Sequence, residues 1–211
     1  MTIGLTAVVV AYLLGAIPFG YLLVKWKTGA DVRGSGSGNI GATNVLRTTG
    51  RAAGVATLLL DIGKGYLAVW LAGRLTAPPG PPPGPGDPLW MSLAALAVMA
   101  GHAFPVFLRF HGGKAVASFI GAFLCLTPLP MIASLLILLG VVAATRHISM
   151  GSIVAAAVFP LGVWLLQKPP LAVVVSALLA AALIIYRHRS NIRRLSRGTE
   201  AVFRFGGNRG R

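Results

Sequence analysis

Apolar residues along this chain fall in long blocks separated by short polar islands, with no strand-like alternation. The block from Ile3 to Val24 is 22 residues without a charge. At about 1.5 Å per residue, that is enough helix to cross a hydrocarbon layer of roughly 30 Å. Further apolar runs at Ala52–Thr76, Leu89–Phe104, Ala115–Leu126, Met131–Thr145, Ser149–Trp164 and Leu171–Tyr186 predict six more helices. Several fall short of the roughly 17–25 residues of a full span and predict tilted or half-buried helices. A five-span reading would fuse Ala115–Thr145 into one element. The Thr127-Pro128-Leu129-Pro130 break argues against fusion, because proline removes a donor and clashes with the preceding turn.

The distribution of charge gives these spans a direction. No cation precedes the first block and Lys25 and Lys27 follow it, the reverse of a secretory leader. The positive-inside rule then predicts the N-terminus outside and Lys25 in the cytoplasm. Seven crossings leave the C-terminus inside as well. Cytoplasmic segments would hold 16 of the 19 Lys and Arg: Lys25, Lys27, Arg33, Arg47, Arg51, Arg109, Lys114, Arg146 and eight arginines from Arg187 onward. Arg74 and Lys168 would lie outside, with Lys64 inside a span. The Pro/Gly-rich segment Ala77 to Pro88 reads as an external linker, and no internal repeat is present. The expectation is an all-α, polytopic integral membrane protein of about seven helices, forming one membrane-embedded domain over residues 1–211.

Composition narrows the chemistry. The chain has 211 residues, 55% of them hydrophobic, and 19 Lys and Arg against 4 Asp and Glu, for a net charge of +15. Its mean hydropathy is +0.78. A charged fraction of 11% is too low for a soluble nucleic-acid binder of such net charge, so no nucleic-acid partner is expected. Asp31, Asp61, Asp87 and Glu200 are too scattered along the chain to suggest a carboxylate pair or a divalent-cation cage. Cys125 is the sole cysteine, which excludes disulfide frameworks and thiolate metal sites. No metal and no cofactor are expected, and the working groups are cations and backbone amides.

Three polar islands fall on the predicted cytoplasmic side. In the first, Asp31 to Arg51, glycines including Gly34, Gly36, Gly38 and Gly41 leave backbone N–H groups unshielded, and Ser37, Asn39, Thr43 and Asn44 add short polar side chains. Such a loop entering a helix N-terminus suits phosphate oxygens, with Arg47 as the bidentate cation, although glycine content alone fits a solvated loop equally well. In the second island, Gly101 to Ser118, Gly112-Gly113-Lys114 opens an apolar run. A lysine at a helix start opposes the helix dipole, which points to an anion nearby; a topology signal is the competing reading. His102, taken alone, reads as a packing or capping histidine. In the third island, Tyr186 to Glu200, His188 and Asn191 are three apart and would share one face if the helix continued. Asp61 and Lys64, about ten residues into an apolar run, are expected to form a structural ion pair, since each lone charge there costs roughly 2.5–3.5 kcal/mol.

Together the islands resemble a known family. G-S-G-N-I-G-A-T-N-V-L-R at 36–47, G-H-A-F-P-V-F-L-R-F-H-G-G-K-A-V-A at 101–117 and R-H-R-S-N-I-R-R-L-S-R-G-T-E at 187–200 are similar to the motifs of the bacterial acyl-phosphate:glycerol-3-phosphate acyltransferases, the PlsY type. D-x-x-K-G at 61–65 fits the same family, and the match runs in order over almost the whole chain. The resemblance implies seven helices and all three motifs at the cytoplasmic face of the bacterial inner membrane. It implies acyl transfer from a fatty acyl phosphate to the sn-1 hydroxyl of glycerol 3-phosphate, giving lysophosphatidate and phosphate. It also implies a functional link to the enzyme that forms acyl phosphate.

Carried over by position, the family's motif residues fall on Ser37, Arg47, Lys114, His188 and Asn191, the expected catalytic set. Gly38, Asn39, Gly41, Thr43, Asn44, His102, Gly112 and Gly113 are the expected substrate-binding residues, joined by Ser149 and Ser152 from a weaker polar turn. The residues are suited to this chemistry. Both substrates carry phosphate, so a site needs two anion pockets near lipid, and glycine amides with Arg47 and Lys114 can supply them without metal. The donor is a mixed anhydride with a good leaving group, so direct attack by the glycerol hydroxyl is expected, with either His188 or a substrate phosphate oxygen taking the proton.

Other classes fit less well. No H-x-x-x-x-D occurs, because the residues five after His102, His111, His147 and His188 are Phe107, Val116, Ser152 and Arg193. Four acids are too few for a metal-dependent CDP-alcohol transferase. An organic-phosphate transporter is the remaining alternative, but such sites usually lie near the membrane midplane between repeats.

Overall fold

In a computed structural model of the chain, residues 1–79 and 86–203 are described. Residues 80–85, half of the segment read as an external linker, and Arg204, Arg209 and Arg211 therefore lie outside the described residues. The ten α-helices among the described residues are α1 (Thr2–Ala16), α2 (Phe19–Thr28), α3 (Ala42–Thr49), α4 (Arg51–Thr76), α5 (Pro88–Ala103), α6 (Val116–Leu126), α7 (Pro128–Thr145), α8 (Ile148–Gln167), α9 (Leu171–Arg187) and α10 (Arg189–Ser196). No strand occurs among them.

The first apolar block is not one uninterrupted helix. Pro18 disfavours helical backbone at the residue before it, and Ile17 is extended (φ −63°, ψ 114°), so α1 stops at Ala16 and α2 starts at Phe19. This break leaves the Ile17 carbonyl available to the Lys64 ammonium, 2.8 Å away. The proline pair at 128–130 separates α6 from α7, as the sequence predicts: Thr127 leaves the helical region and Pro128 opens α7.

Five stretches are long and apolar enough to cross a membrane: Thr2–Thr28, Arg51–Thr76, Pro88–Leu108, Pro128–Thr145 and Ile148–Gln167. A sixth is reached if α9 and α10, bent by 57° at His188, count as one. The expected seven is therefore met only if α6 also crosses. At 11 residues it spans about 16 Å, roughly half of a hydrocarbon layer. The bend falls at His188, and the chain is helical again from Arg189, with the Ile192 N–H bonded to the His188 carbonyl at 2.9 Å; the His188 and Asn191 side chains are both buried.

Packing relies on small residues. A Cβ on Gly15 would run into the Val98 carbonyl and one on Gly101 into the Tyr12 carbonyl, so α1 and α5 meet backbone to backbone. Gly65 against Ser118 and Gly121 against Ile62 bring α4 and α6 together in the same way. This is how helices associate where lipid removes the hydrophobic drive between them. Phe119, Phe123 and Phe159 fill the centre with ring centroids 4.9–5.2 Å apart. A second, smaller core of Val24, Val32, Ile40, Val45, Ala53 and Leu108 lies beneath the first polar island and anchors it to α2, α3 and α4.

Candidate active site

The first island is a self-bonded loop built around one buried side chain. Asn44 donates from Nδ2 to the carbonyls of Ser35 (3.1 Å) and Asn39 (2.8 Å), and its Oδ1 accepts from the Ser37 N–H (2.9 Å). Asn39 Oδ1 in turn accepts from the Gly41 N–H at 2.8 Å. Gly36 turns the chain with φ +60°, and a Cβ there would strike Asn44 Oδ1. Asn44 was expected at a ligand; here its amide is engaged by the loop backbone. Ser37 and Gly38 are left exposed at the rim. Thr43 and Arg47 project from α3 and are exposed. At the other end of the loop, Asp31 pairs through both oxygens with Arg33. That bonding holds the Asp31 carboxyl below its usual range.

The second island is closed against α5. The Gly113 N–H donates to the His102 carbonyl at 3.0 Å. A Cβ on Gly113 would strike His102 Nε2, and one on Gly112 would strike the His102 carbonyl and the Pro105 ring. Two glycines are therefore required by close approach. His102 is buried, with Nδ1 3.1 Å from Ser118 Oγ; that hydroxyl donates to the Asp61 carbonyl, so Nδ1 is the donor to Ser118. Asp61 and Lys64 pair at 2.8 Å beneath it, as expected for charges inside a span. Lys114 follows the turn. Burial pushes its pKa down from 10.5 to about 8; Glu200 acts in the opposite sense, while Arg194, Arg187 and Arg47 push with burial.

The third island folds back on the other two. His188 occupies the bend between α9 and α10, with Nδ1 2.8 Å from the Ile184 carbonyl. A carbonyl only accepts, so Nδ1 carries the proton and Nε2 keeps its lone pair. Glu200 collects three donors: Ser149 Oγ (2.7 Å) and Asn191 Nδ2 (2.6 Å) on Oε1, and Arg194 Nε (2.7 Å) on Oε2. Burial raises the Glu200 pKa, but these bonds outweigh it and hold the carboxyl below its ordinary value. With Nδ2 so held, the buried Oδ1 of Asn191 has no hydrogen-bond partner among the described residues. Ser152 donates to its own helix, at the Ile148 carbonyl.

The islands enclose an open cavity of about 680 Å³. Ser37, Gly38 and Asn39 line it from the first island, Phe110, His111, Gly112 and Lys114 from the second, and Arg187, Arg189, Ser190 and Arg194 from the third. Asp31 and Arg33 complete it, so the lining has five basic side chains and one acidic one. Of the expected residues, Ser37, Gly38, Asn39, Gly112 and Lys114 meet here. Gly41, Thr43, Asn44, Arg47, His102, Gly113, Ser149, Ser152, His188 and Asn191 are not among its lining residues. Arg187 and Glu200 were not singled out by sequence, although both lie inside the third motif. Among the described residues, no three His, Cys, Asp or Glu side chains gather where a metal could bind.

A family model for glycerol-3-phosphate acyltransferase matches residues 5–198. The chain belongs to the glycerol-3-phosphate acyltransferase family. Its relatives include the glycerol-3-phosphate acyltransferase of Geobacter sulfurreducens, 47% identical over 92% of this chain and 95% of that one. That of Trichlorobacter lovleyi is 48% identical over 97% of this chain and all of its own length. Two crystal structures of PlsY, an integral membrane glycerol 3-phosphate acyltransferase, are similar in fold. The glycerol 3-phosphate form has a TM-score of 0.85 and 37% identity, covering 95% of this chain and 96% of its own. The lysophosphatidic acid form has a TM-score of 0.82 and 36% identity, covering 95% of each chain. In this acyltransferase, residues from all three polar islands wall one cationic cavity.

Proposed function

We infer that this acyltransferase transfers a fatty acyl group from an acyl phosphate to the sn-1 hydroxyl of glycerol 3-phosphate, releasing phosphate and forming lysophosphatidic acid. The observation that carries the reading is the cavity's charge: five cations against one carboxylate, in a chain with four acids in all. Both substrates are phosphates, and a basic cavity at the end of an apolar bundle receives two such headgroups while leaving an acyl chain in lipid.

Lys114 and Arg47 bind the phosphates, and Ser37 with the loop amides stabilises the charge that develops on the attacked carbonyl oxygen. Asn191, held through its Nδ2 by Glu200, offers Oδ1 to the glycerol hydroxyl. The hydroxyl oxygen attacks the acyl carbon, the bond to the phosphate oxygen breaks, and phosphate leaves with the electron pair. The hydroxyl proton passes to His188 Nε2 or to a phosphate oxygen. Gly38, Gly41, Thr43, Gly112 and Gly113 line or shape the anion pockets. Ser149 acts through Glu200.

A membrane placement belongs to the same proposal. The chain is one domain in the bacterial inner membrane, with seven crossings, the N-terminus outside and the cavity at the cytoplasmic face. Lys114 precedes α6 and Ser149 follows α7, yet Glu200 bonds to Ser149 and its charge acts on Lys114. That proximity supports α6 and α7 passing out and back, with α6 as a short crossing. The positive-inside count supports the same sidedness.

The test is purified protein in detergent with glycerol 3-phosphate and either a long-chain acyl phosphate or acyl-CoA, with and without EDTA. Lysophosphatidic acid from acyl phosphate alone, undiminished by chelator, is expected. Product from acyl-CoA at a comparable rate, or no product from either donor, overturns the reading.

A further inference from the structure

Arg187 is a cavity cation whose bonding the proposed chemistry leaves unused. Its guanidinium is a fork across two adjacent carbonyls: Nε donates to Gly113 O at 3.0 Å and Nη2 to Gly112 O at 2.9 Å. The same group stacks over the Phe104 ring, 5.0 Å from its centroid. From the opposite side the turn is fixed by the bond from Gly113 N–H to the His102 carbonyl and by the contact of Gly113 with the imidazole. The Gly112–Gly113 turn is therefore gripped on both faces, by α5 and by the last residue of α9. Glycines have no side chain of their own to hold such a turn, and the residue that follows is Lys114.

We propose that Arg187 is a positioning residue, which acts by clamping the Gly112–Gly113 turn so that Lys114 is aimed into the cavity, and that it is not itself a ligand for substrate phosphate. Two donors at about 3 Å to neighbouring carbonyls match the planar fork of arginine. A lysine, with a single ammonium on a flexible stem, retains the charge but does not reproduce the pair of bonds. The clamp also ties the third motif to the second, so that the bend at His188 and the Lys114 turn share one support. This assignment rests on the proposed phosphate-binding role of Lys114.

The test is a double-mutant cycle on glycerol 3-phosphate binding, read by calorimetry on detergent-purified protein, together with steady-state acyl transfer. Arg187→Ala and Arg187→Lys are each expected to weaken glycerol 3-phosphate binding and lower kcat/KM by about 10- to 100-fold, the scale for a displaced positioning group. Because Arg187 acts through Lys114, the Arg187→Ala/Lys114→Ala double variant is expected to bind no more weakly than Lys114→Ala alone. Retention of near-normal binding and turnover by Arg187→Lys overturns the proposal, since charge alone would then suffice. Additive losses in the double variant overturn it too, because they mark Arg187 as an independent ligand. If Arg187→Ala fails to fold, the cycle is run with Arg187→Lys and the same two outcomes apply. Wild-type protein that neither binds glycerol 3-phosphate nor turns over acyl phosphate would refute the functional reading rather than the clamp.

Discussion

Replacing Lys114 with methionine keeps the length of the side chain and removes its charge. The pKa of Lys114 falls from 10.5 to about 8 in the folded protein because burial and three arginines disfavour the ammonium. At about 1.4 kcal/mol per pKa unit, that gap amounts to roughly 3 kcal/mol of stability lost by holding the charge there without a bound anion. A folded pKa below the unfolded one means that the penalty is full below pH 8 and fades as pH rises towards 10.5. Lys114→Met is therefore expected to be more stable than the wild type at pH 7, by up to about 3 kcal/mol, with the advantage shrinking between pH 8 and 10.5. Thermal melting in detergent across this range, without phosphate, reads the difference. Bound phosphate restores a partner to the ammonium, so glycerol 3-phosphate should stabilise the wild type and not the variant. Its affinity for the wild type should weaken above pH 8 by up to about tenfold per pH unit, and much less in Lys114→Arg, whose charge does not titrate there. A variant less stable than wild type at pH 7, or affinity that is flat across pH 8 to 10, would refute the reasoning.

Further outcomes follow from the same geometry. Gly36→Ala places a Cβ at φ +60° against Asn44 and should destabilise the loop by about 1–2 kcal/mol and raise the KM for glycerol 3-phosphate, whereas Gly34→Ala, with open space around it, should leave both unchanged. Lys64→Met leaves the Asp61 carboxylate buried without its cation and should lower thermal stability by about 3–5 kcal/mol, with Asp61→Asn/Lys64→Met recovering much of the loss. Glu200→Gln removes the charge that three donors share; kcat should fall about tenfold or more while glycerol 3-phosphate binding changes less, and wild-type turnover by this variant would contradict the Asn191 assignment.

Much of the fold was legible because apolar blocks and prolines report directly on helices and their breaks. The pause at 127–130 was read correctly from its two prolines. The break at Pro18 was missed because the apolar run continues through it, and backbone restriction leaves no mark on hydropathy. Length limited the reading of Val116–Leu126, where an 11-residue, mostly apolar helix fits either a short crossing or a half-buried helix. The three islands were found as motifs, and the structure gathers residues from all of them around one cavity. What sequence could not supply was pairing across distance. Glu200 looked like one of four scattered acids, yet it bonds Ser149, 51 residues away. Arg187 looked like one more topology-setting arginine, yet it reaches Gly112, 75 residues earlier. Asn44 looked like a ligand because its amide's partners are loop carbonyls and an amide N–H that only the folded backbone brings near.

The most direct measurement is rapid-quench mixing of purified protein with a long-chain acyl phosphate, with and without glycerol 3-phosphate, following phosphate and lysophosphatidic acid together. Direct transfer in one cavity predicts that the two products appear one for one and that neither appears without glycerol 3-phosphate. A burst of phosphate equal to the enzyme concentration in the absence of glycerol 3-phosphate, or phosphate release with no lysophosphatidic acid in its presence, would contradict it.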